Sequence, residues 1–355
     1  MDLLVTGGAG FIGSTIASAA IDAGHRPIIL DSLITGKREF AQGRVFYEGD
    51  IADRELVHQI FDDYPDIQAV IHCAALIVVP DSVARPIDYY RANVSKTLDF
   101  VEVLVECGCH RLIFSSSASI YATSHDFSVD ETSALAPASP YARTKVIVEE
   151  ILSDIAMATE LKVLSLRYFN PIGCDPKLRT GLQTPSPTHA WGKLIQSVET
   201  GEPFLLTGVD FPTRDGSGIR DYVHVWDLAQ AHLAAVERFD SALGTNSREV
   251  INLGTGTGTT VKELIATFES VAGKAVEVRH APRRPGDSAG AFTRVDRAQM
   301  VLDWTAQQSL EQGIADSLSW FAQRPNILPD LPPSKSLTLC CASLRSNALR
   351  LTRCG

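Results

Sequence analysis

Residues 3–6 are a short apolar run, and Gly7-Gly8-Ala9-Gly10-Phe11-Ile12-Gly13 follows at once, opening a helix expected to reach about residue 23. Glycines at 7, 10 and 13 permit a tight turn, close approach of backbone to a pyrophosphate, and close helix packing. The helix N-terminus adds amide donors and positive potential. Residues 27–30 read as the next buried strand, and Asp31 ends it. An acidic side chain there can hydrogen-bond an adenosine ribose diol and repels a 2′-phosphate, which favours NAD over NADP. The plainer reading of Asp31 is an N-cap or turn aspartate.

The alternation of strand and helix continues. Strands are expected around residues 45–47, 69–72 and 111–115, with helices near 53–62 and 87–106. Such a pattern implies an α/β fold with a parallel, doubly wound, Rossmann-like sheet. Gly49-Asp50-Ile51 and His72-Cys73-Ala74-Ala75 fall at strand ends on the expected cofactor edge. There Asp50, with Ile51 beside it, can meet the adenine, and the small Ala74 can admit the dinucleotide. Asn93, inside the long helix, is a cofactor candidate whose plainer role is to bridge to a neighbouring backbone. His72 reads as structural.

After a strand at 161–168, Phe169-Asn170-Pro171-Ile172-Gly173 breaks the pattern with turn residues. Residues 174–189 read as a loop suited to closing over a substrate. Helices are expected at 191–199, 226–237, 260–272 (capped near Thr259) and 310–323, with strands at 249–253 and 276–281. The expected division is a dinucleotide-binding domain at 1–170 and a smaller C-terminal substrate-binding lobe at 171–328, some segments of which return to the first domain. A composition shift marks 329–355 as a disordered tail.

Tyr141 and Lys145 sit four positions apart on a helix expected at 140–155, so both side chains project from one face. A tyrosine of pKa near ~10 is a poor base, and a cation beside it favours the phenolate. The run Ser115-Ser116-Ser117 closes an apolar strand. Ser117 would therefore lie at a strand's carboxyl end, where open α/β sheets bind ligands. A Tyr/Lys pair with one hydroxyl is a general acid–base site; a lone pair of this spacing is equally a feature of exposed helices.

A 45% hydrophobic content over 355 residues supports a large core. The net charge of −10, with no cluster of Lys and Arg, argues against nucleic-acid partners or an anionic membrane surface. No run approaches the ~18 apolar residues of a membrane span. Met1 begins directly on an apolar run without a secretory pattern, so a cytoplasmic protein is expected. The seven scattered cysteines suggest neither a disulfide framework nor a zinc site, and no metal is expected.

Taken together, the glycine loop, Ser115-Ser116-Ser117-Ala118, Ser139-Pro140-Tyr141 with Lys145, Arg167-Tyr168-Phe169-Asn170-Pro171, the stretch from Asp215-Gly216 through Arg220-Asp221-Tyr222 to His224-Val225, and Ala281-Pro282-Arg283-Arg284 with Gly286-Asp287 resemble an extended short-chain dehydrogenase/reductase. Within that family the resemblance is to the UDP-glucose 4-epimerases, and it covers about residues 1–330. It implies an isomerase of carbohydrate metabolism that keeps NAD bound, acts on a UDP-sugar and forms a homodimer through the helices near 87–106 and 140–155. Val101, Leu104, Val105, Val146 and Val148 offer apolar surface for that pairing. Ser117 would bridge the sugar hydroxyl, Tyr141 would be the base, and Lys145 would hold the nicotinamide ribose, with Phe169 also against the cofactor. Asn170, Arg220, Arg284 and Asp287 would hold the nucleotide, both arginines at the diphosphate. Ala291 would border the hexose, where a small residue admits an N-acetyl group.

The chain departs from that pattern at Ile77, at Ala75, at Thr188-His189, and at Thr207 where an aromatic usually stacks on uracil. Dehydratases and decarboxylases of the same family are the enzyme alternatives. Dehydration calls for acidic residues directly after the active-site hydroxyl, and Ala118-Ser119 stand there instead. A catalytically silent dinucleotide sensor on this fold would typically lack Tyr141 or Lys145, and both are present.

Overall fold

The computed structural model describes residues 1–185, 187–283 and 288–331. The chain opens with β1 (Asp2–Thr6), α1 (Phe11–Asp22), β2 (Arg26–Asp31), β3 (Val45–Glu48), α2 (Arg54–Asp63) and β4 (Ile67–His72). Next come α3 (Val79–Ala84), α4 (Pro86–Tyr90), α5 (Lys96–Glu106), β5 (Arg111–Ser117), β6 (Ser128–Val129), α6 (Pro140–Ala158), β7 (Lys162–Tyr168) and β8 (Asn170–Ile172). Then follow α7 (Ala190–Thr200), β9 (Phe204–Thr207), β10 (Ile219–Arg220), β11 (Tyr222–His224), α8 (Val225–Glu237), α9 (Phe239–Leu243) and β12 (Arg248–Leu253). The remainder is β13 (Thr259–Thr260), α10 (Val261–Ala272), β14 (Val278–Ala281), β15 (Gly290–Thr293), α11 (Asp296–Leu302) and α12 (Leu310–Ile327).

Seven strands form one parallel sheet in the order β12-β7-β5-β4-β1-β2-β3, the doubly wound architecture expected from the sequence. Successive side chains on a strand face opposite sides. Leu3 and Val5 therefore join a core with Ile16 of α1 and Leu228 of α8, whereas Leu4 joins the opposite core with Val57, Phe100 and Leu152. With both faces covered, the strands read as continuous apolar runs. The strand order reverses between β1 and β4, which opens a crevice beyond their carboxyl ends.

A second core gathers Trp191, Leu194, Phe204, Phe268 and Trp320 from α7, β9, α10 and α12. The remaining strands form a four-stranded sheet, β13-β10-β15-β6, and the pairs β8 with β11 and β9 with β14. Strand β12 returns to the edge of the main sheet, pairing with β7 from Arg248↔Val163 to Leu253↔Tyr168.

Three expectations change in detail. The single helix expected at 87–106 is interrupted by a π turn, Arg91–Ser95, between α4 and α5. A π turn accommodates one more residue than an α turn, and Asn93 there faces inward. Helix α10 is capped by Thr260 rather than Thr259, with Glu263 completing a capping box. Val101, Leu104 and Val148, expected as surface, are fully buried with Leu112 and Leu152, because α5 and α6 bury wide apolar stripes against one sheet face. Val105 and Val146 are half-buried, while Ile87, Leu98 and Met157 are the exposed apolar residues of these helices. The expected tail falls almost wholly outside the described residues. No helix among the described residues is long and apolar enough to cross a membrane.

Candidate active site

The cofactor end of the crevice is shaped by missing side chains. Gly7 has φ +67°, and a Cβ on it would stand 2.8 Å from the Ala74 amide nitrogen. A Cβ on Gly13 would stand 2.3 Å from the Gly7 carbonyl oxygen. The loop is thus pressed between the end of β4 and the first turn of α1, with Gly10 as the helix cap. Phe11 and Ile12 are half-buried on that turn, one against each flanking core. The Asp31 carboxylate accepts from the amides of Ala9 at 2.9 Å and Leu33 at 2.8 Å. Burial raises its pKa while those two amides oppose the rise. Each oxygen keeps a lone pair for another donor. A bare amide-rich loop at a helix start with a fixed carboxylate one strand away fits an adenosine diphosphate and its ribose, and so fits NAD.

Other cofactor candidates line the same edge. Asp50 pairs with Lys96 and accepts from the Ala52 amide, and Ile51 is buried behind it. Asn93 accepts from the Leu76 amide at 2.8 Å and donates to the Leu76 carbonyl at 2.9 Å and to the Thr144 hydroxyl. It therefore pins the loop after β4 to α6, the bridging role. His72 is structural too. Its ring nitrogens meet Thr6 and Thr97, and burial lowers its pKa to about 3.

At the carboxyl end of β5, Ser117 meets α6. Helix α6 starts cleanly because Ser139 caps it, accepting from the Ala142 amide, and Pro140 occupies the first turn. Tyr141 and Lys145 are both buried. A hydrogen bond from Ser117 favours the Tyr141 phenolate, yet burial dominates and raises the phenol's pKa. The expected lowering by Lys145 is not what sets this group. The Lys145 ammonium donates to the Ser115 carbonyl at 2.7 Å and lies 4.8 Å from the centre of the Phe114 ring. Burial lowers Lys145 to about 8, so it is a cation below that pH. Ser117 also exchanges a hydrogen bond with the exposed Ser119 hydroxyl at 2.9 Å, giving a hydroxyl path from Tyr141 to the surface.

Phe169 is buried and Asn170 half-buried just beyond β7, where the Asn170 amide donates to the Asp221 carbonyl. Arg220 donates to the carbonyls of Ile219 and Ala289, and its register partner on β15 is Ala291. Ala291 packs on the cluster of Ile120, Tyr121, Val129, Ala142 and Phe169. The neighbouring Phe292 ring stands against Gly258, on the other face of the strand. Arg284 and Asp287 lie outside the described residues. A cleft of about 340 Å³ runs between α7 and β9 and brings Thr188 and Thr207, two of the departures, together with Lys193 and Gln196. His189, its neighbour, caps α7 and stacks on Trp191.

Residue typing alone missed Asp221, Glu149 and Arg167 as organisers. The buried Asp221 carboxylate accepts from the amides of Thr255 and Gly256 and from the Thr255 hydroxyl, tying the end of β12 to β10. Its signal was an acid directly before the apolar Tyr222-Val223. Glu149 pairs with Arg167 in the interior. Its signal was a position one further turn along the Tyr141/Lys145 face.

The description "NAD dependent epimerase/dehydratase family" fits residues 3–254 of the chain. The UDP-glucose 4-epimerase of Bacillus subtilis is 39% identical over 338 residues, 92% of this chain and 98% of that one. A crystal structure of UDP-glucose-4-epimerase from Stenotrophomonas maltophila with bound NAD and formylated UDP-arabinopyranose superposes with a TM-score of 0.85 at 35% identity, covering 92% of this chain and 98% of that chain. The UDP-Glc/GlcNAc 4-epimerase of Campylobacter jejuni gives 0.76 at 34% identity, covering 90% and 98%. A serine-ended strand, a Tyr/Lys helix and a glycine loop on one parallel sheet, matched this far along the chain, place it in the NAD-dependent epimerase/dehydratase family.

Proposed function

We propose that this chain is a UDP-glucose 4-epimerase, interconverting UDP-glucose and UDP-galactose through a 4-keto sugar. The observation that carries the reading is the convergence of Ser117, Tyr141 and Lys145 at the sheet's carboxyl edge, with Ala118-Ser119 and no carboxylate directly after Ser117. Without an acid there to expel water from the sugar, the keto intermediate returns to an alcohol.

NAD, when bound, supplies a nicotinamide that takes the C4 hydride and gives it back. The protein manages the proton. Tyr141 Oη removes the C4 hydroxyl proton, and Ser117 Oγ bridges Tyr141 to the sugar oxygen. The Ser117 hydrogen bond favours the phenolate that takes this proton, against burial, and Tyr141, once protonated, is the acid that returns it. Lys145, a cation below about pH 8, holds the nicotinamide ribose from its anchor on Ser115. Gly7, Gly10, Phe11, Ile12, Gly13, Asp31, Asp50, Ile51, Ala74, Asn93 and Phe169 form or support the NAD site. Asn170, Arg220, Arg284 and Asp287 hold the nucleotide, and Ala291 borders the hexose. The diphosphate calls for the forked donors of Arg220 and Arg284.

Residues 1–170 serve as the NAD-binding domain and 171–328 mainly as the UDP-sugar lobe. The protein works in the cytoplasm as a homodimer pairing through α4, α5 and α6, a reading supported by exposed Ile87, Leu98 and Met157. A monomer by light scattering at micromolar concentration overturns the pairing. To test the activity, the purified protein is denatured to release its nucleotide, and the native protein is offered UDP-glucose without added cofactor. NAD and UDP-galactose are expected; a dehydrated or decarboxylated product overturns the reading.

A further inference from the structure

Beneath the catalytic residues runs a buried polar chain that the reaction above does not use. Glu149 follows Lys145 by four residues and Tyr141 by eight, so all three share one face of α6. Its carboxylate accepts from Arg167 Nε at 2.9 Å, again from Arg167 Nη2 at 2.5 Å, and from the Ser116 hydroxyl at 2.5 Å. Arg167 Nη1 donates to Tyr121 Oη at 3.0 Å, and Tyr121 donates to Asn252 Oδ1 at 2.6 Å. All five side chains are over nine-tenths buried. The chain ties together the elements of the catalytic end. Ser116 precedes Ser117 on β5, Arg167 lies two residues before Phe169 on β7, and Asn252 lies on β12.

Stability is a poor reason for such a pair, since apolar residues of like volume often serve a fold as well. What a forked guanidinium–carboxylate pair adds is fixed geometry, with the charge of each partner held in place. Around Lys145 stand His72 and Cys73 at the end of β4, the Phe114 ring and Ser115 carbonyl on β5, and Glu149 on its own helix, with Tyr168 of β7 against Ser115, Cys73 and Tyr141. Burial pushes Cys73 up to about 11, His72 down to about 3, and Tyr168 and Tyr141 upward, so these are neutral at pH 7. Against burial, which lowers it most, Cys73 and then Glu149 favour the Lys145 ammonium.

We propose that the Glu149–Arg167 pair, with Ser116, is a positioning device that registers the Tyr141/Lys145 face of α6 on the serine end of β5. It deepens the epimerase reading and rests on it for the roles of Tyr141 and Lys145. Glu149 touches no substrate; it acts by holding α6, which carries Tyr141 and Lys145, against β5 and β7.

The test uses full-length protein with carbon-13-labelled lysine, the Lys145 signal being assigned by its loss in Lys145→Met. In Glu149→Gln the Lys145 titration should move down, and kcat should fall more than tenfold with KM for UDP-glucose within about twofold. Glu149→Asp should bring the titration back towards the wild-type value while kcat stays low, because the shorter carboxylate keeps the charge and loses the fit. Ser116→Ala should lower kcat at an unchanged titration and melting temperature. An unmoved Lys145 titration in folded Glu149→Gln, or wild-type kcat in Ser116→Ala, overturns the proposal. If Glu149→Gln fails to fold, Glu149→Asp and Ser116→Ala decide, since full activity in either overturns it. The titration needs no sugar, so a wild-type enzyme that acts on another nucleotide sugar refutes the substrate and leaves this inference standing.

Discussion

The two ends of the crevice are built from different materials. At the cofactor end, β1, α1 and β2 work mostly through backbone: the critical residues are glycines and Asp31, and the contacts that shape the loop lie within the first 36 residues or on the tip of β4. At the catalytic end, β5, α6 and β7 work through side chains whose partners are 18 to 46 residues apart, as in Arg167 with Glu149 and with Tyr121. One end fails when an atom is added. The other fails when a hydroxyl or a charge is removed.

The sharpest way to separate them is Tyr141→Phe. Deleting one hydroxyl at the side-chain end should lower kcat by about 10²–10⁴-fold while bound NAD and melting temperature stay near wild type. More than about a tenth of wild-type kcat removes Tyr141 as the base. Gly7→Ala makes the opposite cut. A methyl at φ +67°, driven against the Ala74 backbone, should cost about 1–3 kcal/mol of stability or more and strip NAD. The fraction that remains loaded should keep its kcat, and a normal NAD content would show that the loop has room to yield. Ala291→Tyr fills space at the sugar end, where Phe292 is held on the far strand face against Gly258. It should lower kcat/KM for UDP-N-acetylglucosamine by roughly tenfold or more and for UDP-glucose by under about threefold. Equal effects remove Ala291 as the gate.

The remaining expected effect is on acid stability, and it draws on both bodies. Burial lowers His72 to about 3 and His189 and His232 to about 4, from an ordinary 6.5. Their folded values lie below the unfolded one, so the unfolded chain binds more protons in this window and stability is lost as pH falls through and below 6.5. Melting temperature should decline between pH 6.5 and about 5, and a flat profile there would mean that other groups compensate.

These differences also explain what could be read from the chain before folding. The glycine loop, Asp31 and the strand–helix alternation are local, and a spacing rule captures them. Tyr141, Lys145 and Ser117 were legible as chemistry because two lie on one helix face and the third ends a strand. The electrostatics were not legible: spacing predicts that Lys145 acidifies Tyr141, whereas the ammonium is claimed by the Ser115 carbonyl on another element. Val101, Leu104 and Val148 misled for a related reason, since a wide apolar stripe looks like surplus until both the sheet and a neighbouring helix are seen to cover it. The π turn at Asn93 left no mark, because the residues of an extra-wide turn are ordinary helix formers.

The return of β12 to the sheet sets a timetable for the newly made chain. Strand β7 ends at Tyr168, but its outer partner begins eighty positions later at Arg248. At synthesis speeds of about 5–20 residues per second, the sheet therefore waits roughly 4–16 s with the backbone groups of β7 unpaired along one side. An open strand of the composition Lys-Val-Leu-Ser-Leu-Arg-Tyr is a template for a neighbouring nascent chain as well as for β12. The charges of Lys162 and Arg167 interrupt its apolar stretch, and the window closes only when residue 253 has cleared the ribosome.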